Sequence, residues 1–446
     1  MNARPGTTGA ARESAESVRL HSFYRGKVQM VPKVPVRELR DFAVWYTPGV
    51  AAASRAVAAD PGRVFEHTNK ANTIAIVSDG SRVLGLGDIG PEAGLPVMEG
   101  KALLFKYLGG VDAVPICVET STVDELVSLI QHLQPSFGGI NLEDIAQPAC
   151  FEALERLRST LRIPVWHDDQ QGTATVVVAA LTNALEVVDK VLHDVDITLV
   201  GIGAANVATL RLLLAAGADP ARVVACDRGG TLHTGRADLE RRQDAYPDKW
   251  RICRTTNARG VSGGVAAALA KSDVCLAFSE PGPDTIRPEW IAAMASDPVV
   301  FACANPVPEI WPATAAQAGA RVVGTGRSDF PNQVNNSLAF PGIFRGVLDV
   351  RARSITDEMA LAAAEVLARF AAERGIEYGL LPTMTEWEVV PRVAAATALT
   401  AQRQGVAALD TPENELVRDA RRTISEARRA TEVLMDAQII PPPPTA

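Results

Sequence analysis

The sequence has few cysteines and none of them are paired in motifs. Six occur among 446 residues, at positions 117, 150, 226, 253, 275 and 303, and no two stand in a CxxC or zinc-ribbon spacing. Several fall in apolar runs, such as Ala113–Val118 and Ala302–Ala304, so buried, reduced thiols are expected rather than a redox device. No apolar stretch reaches the roughly 18 residues of a membrane-spanning helix. Residues 1–20 lack the apolar block of a secretory signal, so the expectation is a cytoplasmic protein that engages no membrane. A cationic excess is missing as well. Lys and Arg total 44 against 52 Asp and Glu, a net charge of −8, which argues against nucleic acid as a partner. Apolar side chains are plentiful at 47%, enough for a sizeable core, and wholesale disorder is excluded. The length predicts two or three domains.

Residues 1–20, rich in Ala, Arg, Gly, Thr and Ser, read as a loose tail. Residues 441–446, with four consecutive prolines, read as an extended one. Between them short apolar strands alternate with helical stretches. Thr73–Val77, Ala113–Val118 and Ile163–Trp166 read as strands. Thr122-Val-Asp-Glu125 has the form of a capping box opening a helix to about His132, and Thr173 to Val188 reads as a buried helix. From Ile197 the alternation becomes regular, with strands at Ile197–Gly201, Arg222–Cys226, Val274–Phe278, Val299–Ala302 and Arg321–Val323. That is the pattern of a parallel sheet covered on both faces, an α/β fold. Beyond Asn335 helices dominate, at about 336–349, 356–372, 389–403 and 411–436. Acids interleave the arginines of the last one, which reads as a solvated face. There is no internal repeat.

The segment Asp196-Ile-Thr-Leu-Val-Gly201-Ile-Gly203-Ala204-Ala205-Asn206 runs from a strand into a glycine turn and then a helix. A dinucleotide fingerprint needs that context. Gly201 permits the tight turn, and Gly203 lets the backbone approach a pyrophosphate at the helix N-terminus. The third position, where Gly or Ala serves close packing, is Asn206. Asp227 ends the following strand and can bind ribose hydroxyls, which leans slightly to NAD. Arg228 beside it can instead receive a 2′-phosphate and favour NADP. The plain alternative is an ordinary strand–helix turn with a solvated Asp.

Two acid pairs follow short apolar runs beside glycines, in Gly138-Gly-Ile-Asn-Leu-Glu143-Asp144 and in Trp166-His167-Asp168-Asp169-Gln-Gln-Gly172. Each alone is an ordinary turn. If both meet at one crevice they repel one another, and a divalent cation relieves the repulsion. An all-oxygen donor set suits Mg²⁺ or Mn²⁺. His167 reads as structural or as a neighbour of the ligands. Lys101 and Lys106 lie on an apolar helix. Lys106 reads as reaching solvent, whereas a catalytic Lys101 requires burial and a nearby cation to lower its pKa. Tyr46, at a Pro-Gly turn, can be core, interface or proton donor.

Taken in order, Tyr46-Thr-Pro-Gly49, Ser78-Asp-Gly80 with Val83-Leu-Gly-Leu-Gly87, Val97-Met-Glu-Gly-Lys101-Ala, Phe137-Gly-Gly-Ile-Asn-Leu-Glu-Asp144, His167-Asp-Asp-Gln170 with Gly172-Thr-Ala174, Ala304-Asn-Pro306 and Asn335-Asn336 resemble the motifs of malic enzymes. The resemblance covers His21 to about Val390 and is to the compact bacterial type. It implies oxidative decarboxylation of (S)-malate to pyruvate and CO₂ with reduction of NAD or NADP. It implies Glu143, Asp144 and Asp169 as ligands of Mg²⁺ or Mn²⁺, Lys101 as general base, Tyr46 as general acid and Asp168 as their neighbour. Asn305 and Asn335 would contact substrate, with Asn305 and Thr173 also beside the cofactor. Arg82 resembles the larger malic enzymes more than many compact ones, and reads either as a grip on a malate carboxylate or as a surface arginine. The implied architecture is an α/β substrate and metal domain at 21–170, a doubly wound Rossmann-like dinucleotide domain at 171–390 and C-terminal helices at 391–440, in a homodimer. Rival readings are a malolactic enzyme or oxaloacetate decarboxylase of the same family, and a non-catalytic nucleotide-binding regulator.

Overall fold

Two parallel sheets and a helical C-terminal layer organise the chain, in a computed structural model that describes residues 7–444. The first sheet contains β1 (Thr73–Ser78), β2 (Asp112–Cys117), β3 (Gly139–Leu142) and β4 (Val165–His167), in the order β2-β1-β3-β4 with every pair parallel. Its helices are α1 (Thr7–Tyr24), α2 (Asp41–Trp45), α3 (Val50–Ala59), α4 (Pro91–Gly109), α5 (Val123–Leu133) and α6 (Ala149–Thr160). Apolar runs such as Ile74–Val77 have no polar alternation because helices cover both faces of the sheet. At the start of α5 the Thr122 hydroxyl accepts the Glu125 N–H. The Glu125 carboxylate accepts the N–H of Ser121, one residue earlier than a standard capping box uses.

A single π turn at Asp168–Gly172 leads into α7 (Thr173–Val187) and the second sheet. Its elements are β5 (Ile197–Val200), α8 (Ala204–Ala215), β6 (Val223–Asp227), β7 (Gly230–Thr231), β8 (Val274–Ala277), β9 (Val299–Ala302) and β10 (Val322–Thr325). The order is β10-β9-β8-β5-β6-β7, parallel except for β7. This is the doubly wound α/β arrangement expected from the sequence, and its switch point lies between β5 and β8. The chain closes with α9 (Phe340–Asp349), α10 (Asp357–Arg374), α11 (Val389–Arg403) and α12 (Glu413–Asp436). One apolar cluster runs through Ile74, Phe105, Trp166, Ile197, Phe340 and Val393, so both sheets and the C-terminal helices share a core. Among the described residues, no helix is long and apolar enough to cross a membrane.

The N-terminus departs from expectation. Where the sequence reading leaves a loose tail to Leu20, Thr7–Tyr24 is helical. Ala, Arg, Glu and Leu, all strong helix formers, supply eight of its 18 residues and outweigh the scattered Gly, Thr and Ser. Arg19 and Tyr24 hold the chain's other end, donating to the carbonyls of Pro444 and Pro441 at 2.9 Å each. The first six and last two residues of the expected tails lie outside the described residues.

Candidate active site

The first sheet delivers acids at its carboxyl edge because Glu143 and Asp144 follow β3, while Asp168 and Asp169 follow β4, its neighbour. Helix α4 presents Lys101 to them. Its ammonium lies 2.9 Å from Glu143 Oε1 and 2.5 Å from Asp168 Oδ2, with all three side chains buried. The indole N–H of Trp166 donates to the other Asp168 oxygen at 3.0 Å, and the Phe340 ring caps the ammonium at 4.2 Å. Burial opposes the Lys101 charge, but Asp168 and Glu143 together outweigh it, so its pKa is raised. The sequence reading asked for a lowering. The burial it required is present, but the immediate neighbours are anions.

Asp144 stands at φ 54°, a left-handed conformation that Asp tolerates. The Arg82 N–H donates to its carbonyl at 3.0 Å. Burial, reinforced by Asp169, pushes the Asp144 carboxyl up to about 7, and burial is also the chief cause that raises Glu143. Among the described residues, no three acidic, histidine or cysteine side chains form a ready metal cage. Glu143 is engaged by Lys101 and by the Asn141 amide at 2.8 Å, and Asp169 Oδ2 accepts the Asp144 N–H at 2.8 Å. The donor chemistry nevertheless fits a hard cation. Asp144 Oδ2 is buried with no partner among the described residues, and Glu143, Asp144, Asp168 and Asp169 face the Lys101 ammonium and the Arg82 guanidinium, fewer cations than acids. His167 is fully buried with neither ring nitrogen bonded, and burial lowers its pKa, so it stands neutral beside the acids.

The second sheet supplies a crevice beside β5 and β8. Gly201 has φ +85°, and a Cβ there would meet the Phe278 carbonyl at 2.5 Å, so only glycine fits. At Gly203 the nearest neighbour of a Cβ would be 4.0 Å away, which leaves its backbone open at the start of α8. Asp227 ends β6 with both carboxylate oxygens held, one by Arg236 at 3.0 Å and one by Lys249 at 3.0 Å. Burial opposes its charge, but these hydrogen bonds prevail and lower its pKa. Arg228 is almost fully exposed and sits 3.7 Å from Glu280. The Ser81–Gly87 loop after β1 packs on the loop after β9, where a Cβ on Gly85 would meet the Asn305 carbonyl at 2.4 Å.

A glycine turn, a fixed terminal acid and an acid–lysine cluster across a shared seam describe a dinucleotide enzyme. Comparison with known families is specific. Residues 25–158 match the malic enzyme N-terminal domain, and residues 170–402 match the malic enzyme NAD-binding domain. The chain belongs to the malic enzyme family. It is 47% identical over 388 residues to an NAD-dependent malic enzyme of Geobacillus stearothermophilus, covering 86% of this chain and 78% of that one. It is 44% identical over 408 residues to a bifunctional malic/malolactic enzyme of Bacillus subtilis, covering 91% and 97%. The crystal structure of the malic enzyme of Entamoeba histolytica superposes with a TM-score of 0.93 at 45% identity, covering 97% of this chain and 90% of that one.

Of the residues that the malic enzyme motifs single out, Lys101, Glu143, Asp144, Asp168 and Asp169 converge with Arg82 at their edge. Gly201, Gly203, Ala204, Ala205 and Asn206 form the turn and helix start that the fingerprint requires. Asn305 lies exposed on the seam, and the Asn335 Oδ1 caps a short turn by accepting the Ser337 N–H at 2.9 Å. Thr173 opens α7 directly after the acid loop. Tyr46 stands apart. It is 70% exposed, and no hydrogen bond among the described residues joins its hydroxyl to the cluster. Trp166 and Phe340 went unread in the sequence. Trp166 had a signal, since residues two apart in an extended segment share a face with Asp168. Phe340 had none, because only the tertiary fold carries α9 to Lys101.

Proposed function

We propose that this chain catalyses the oxidative decarboxylation of (S)-malate to pyruvate and CO₂. In this reading NAD⁺ is the hydride acceptor, and Mg²⁺ or Mn²⁺ is held by Glu143, Asp144 and Asp169. The observation that carries it is the buried Lys101 ammonium, clamped between Asp168 and Glu143 and joined by the Gly85–Asn305 seam to a dinucleotide crevice. The bound dinucleotide supplies the hydride acceptor, and the divalent cation supplies charge that polarises the C2 oxygen. Arg82, at the exposed rim, grips a malate carboxylate through its planar fork. Asn305 and Asn335 donate side-chain N–H groups to substrate. Lys101 Nζ takes the proton of the C2 hydroxyl. It becomes basic when the charge of Glu143 and Asp168 is neutralised, because those two carboxylates hold its proton. Asp168, anchored by Trp166, keeps Nζ oriented. The Tyr46 hydroxyl returns a proton to C3.

Asp227 supports NAD⁺ over NADP⁺. A carboxylate at the end of β6 can accept ribose hydroxyls, but Arg236 and Lys249 offset its charge, so the lean to NAD⁺ is slight. The reading includes a substrate domain to residue 170 and a dinucleotide domain from 171. It also includes a homodimer, supported by the apolar, outward-facing segment from Val28 to Val50, in which Met30 and Leu39 are 98% and 87% exposed.

The test mixes enzyme, (S)-malate and Mn²⁺ with NAD⁺ or NADP⁺ and follows absorbance of the reduced nicotinamide together with pyruvate and lactate. Pyruvate with stoichiometric NADH is expected, and EDTA should abolish it. Lactate without net NADH would establish the malolactic alternative instead.

A further inference from the structure

Asn206 occupies the position at which the dinucleotide fingerprint calls for a small residue. It is fully buried at the first turn of α8, directly behind the glycine turn. Its side-chain Nδ2 faces three backbone carbonyls, at 3.1 Å from Val200, 2.8 Å from Gly201 and 3.2 Å from Leu276. Those carbonyls belong to the end of β5, to the turn itself and to the neighbouring strand β8. Three acceptors around one group fix the amide's orientation, because only its NH₂ end can face them.

This arrangement explains why a larger residue fits. A small third residue serves by letting helix and strand approach. Asn206 serves by filling the gap with hydrogen bonds to β5, to β8 and to the turn that follows β5. The turn is confined on its other side as well, since Gly201 packs against Phe278 and Ser279 at distances that exclude a side chain. Strand end, turn and helix start therefore form one locked unit. A loop already held in its receiving shape loses less freedom on binding, and that difference appears as affinity.

We propose that Asn206 is a positioning residue for the dinucleotide: its buried amide ties β5, β8 and the Gly201–Gly203 turn into the shape that receives a pyrophosphate. It acts through the backbone carbonyls it holds. The inference rests on the reading of this crevice as a nicotinamide dinucleotide site.

The test titrates NAD⁺ into the wild-type chain and into Asn206→Ala, Asn206→Ser and Asn206→Asp by calorimetry, without turnover. Malate KM is measured in parallel at saturating cofactor. Asn206→Ala should weaken the NAD⁺ Kd by about 10-fold, the scale of one net hydrogen bond. Asn206→Ser keeps one donor and should recover part of that loss. Asn206→Asp should bind worst, because it turns a carboxylate towards three carbonyls. Malate KM should stay within about twofold throughout. A merely structural role would lower Tm and leave the Kd unchanged. Wild-type NAD⁺ affinity in Asn206→Ala and Asn206→Asp would overturn the inference alone, as would an equal loss for malate. A wild-type chain that binds neither NAD⁺ nor NADP⁺ would overturn the reading of the crevice and this inference with it.

Discussion

In the proposed reaction Lys101 is the base, and its neighbours Asp168 and Glu143 hold it protonated until their charge is met elsewhere. Lys101→Ala should keep the far-UV circular dichroism of the wild type and lose about 100- to 10,000-fold in kcat/KM for malate, the usual contribution of a positioned acid–base group. A loss below tenfold would remove Lys101 from that role. At this scale the sequence shows residue types and order well. Paired acids after apolar runs announce themselves, and all four meet at adjacent strand ends. The protonation state of Lys101 could not be read locally, because the two acids that set it lie far along the chain. Asn206 is the converse case. Read alone it breaks a motif, whereas in place it is the most heavily hydrogen-bonded side chain of the turn.

Among elements, the five longer strands of the second sheet were the most legible, because each is a mainly apolar run with a Gly, Pro, Asp or Asn close to one end. β3 was not identified as a strand, since its four residues begin with the second of two glycines and carry a buried Asn141. β7, with two residues, is too short to leave a pattern. The loops after β8 and β9 hide a further device. Glu309 is fully buried, and its carboxylate accepts the Ser279 N–H at 2.7 Å, the Ser279 hydroxyl at 3.0 Å and the Ala304 N–H at 3.0 Å, so it ties two crevice loops together beside Asn305. Burial, partly offset by those hydrogen bonds, raises its pKa above the ordinary 4.5. Folding therefore favours its protonated form. The stability this linkage contributes is complete below pH 4.5 and is lost as pH rises through the folded value. Glu309→Gln cannot titrate. The wild type's Tm relative to that variant should accordingly be more favourable near pH 5 than at pH 7.5, as scanning calorimetry of both proteins would measure. The opposite trend would refute the assignment.

At the scale of the whole molecule, the segment around α2 and α3 is an apolar surface without a cover among the described residues. α2 and α3 bury none of their residues, and the segment around them turns Phe42, Val44, Trp45 and Tyr46 outward. Such a patch calls for a second copy, and light scattering after size exclusion should give twice the 47.3 kDa of one chain. Val44→Glu combined with Trp45→Glu should shift that mass to the monomer, and a monomeric wild type would end the dimer reading. Tyr46 explains why the sequence could name a proton donor and not place it. Its motif is recognisable, but the single chain leaves it 70% exposed, and only the proposed dimer would give it surroundings.

The close approach of Gly85 to the Asn305 carbonyl limits what position 85 can carry. Arg82 lies three residues before Gly85, so two of the residues that the proposed function assigns to malate, Arg82 and Asn305, are brought near each other by a backbone approach that leaves no room for a side chain.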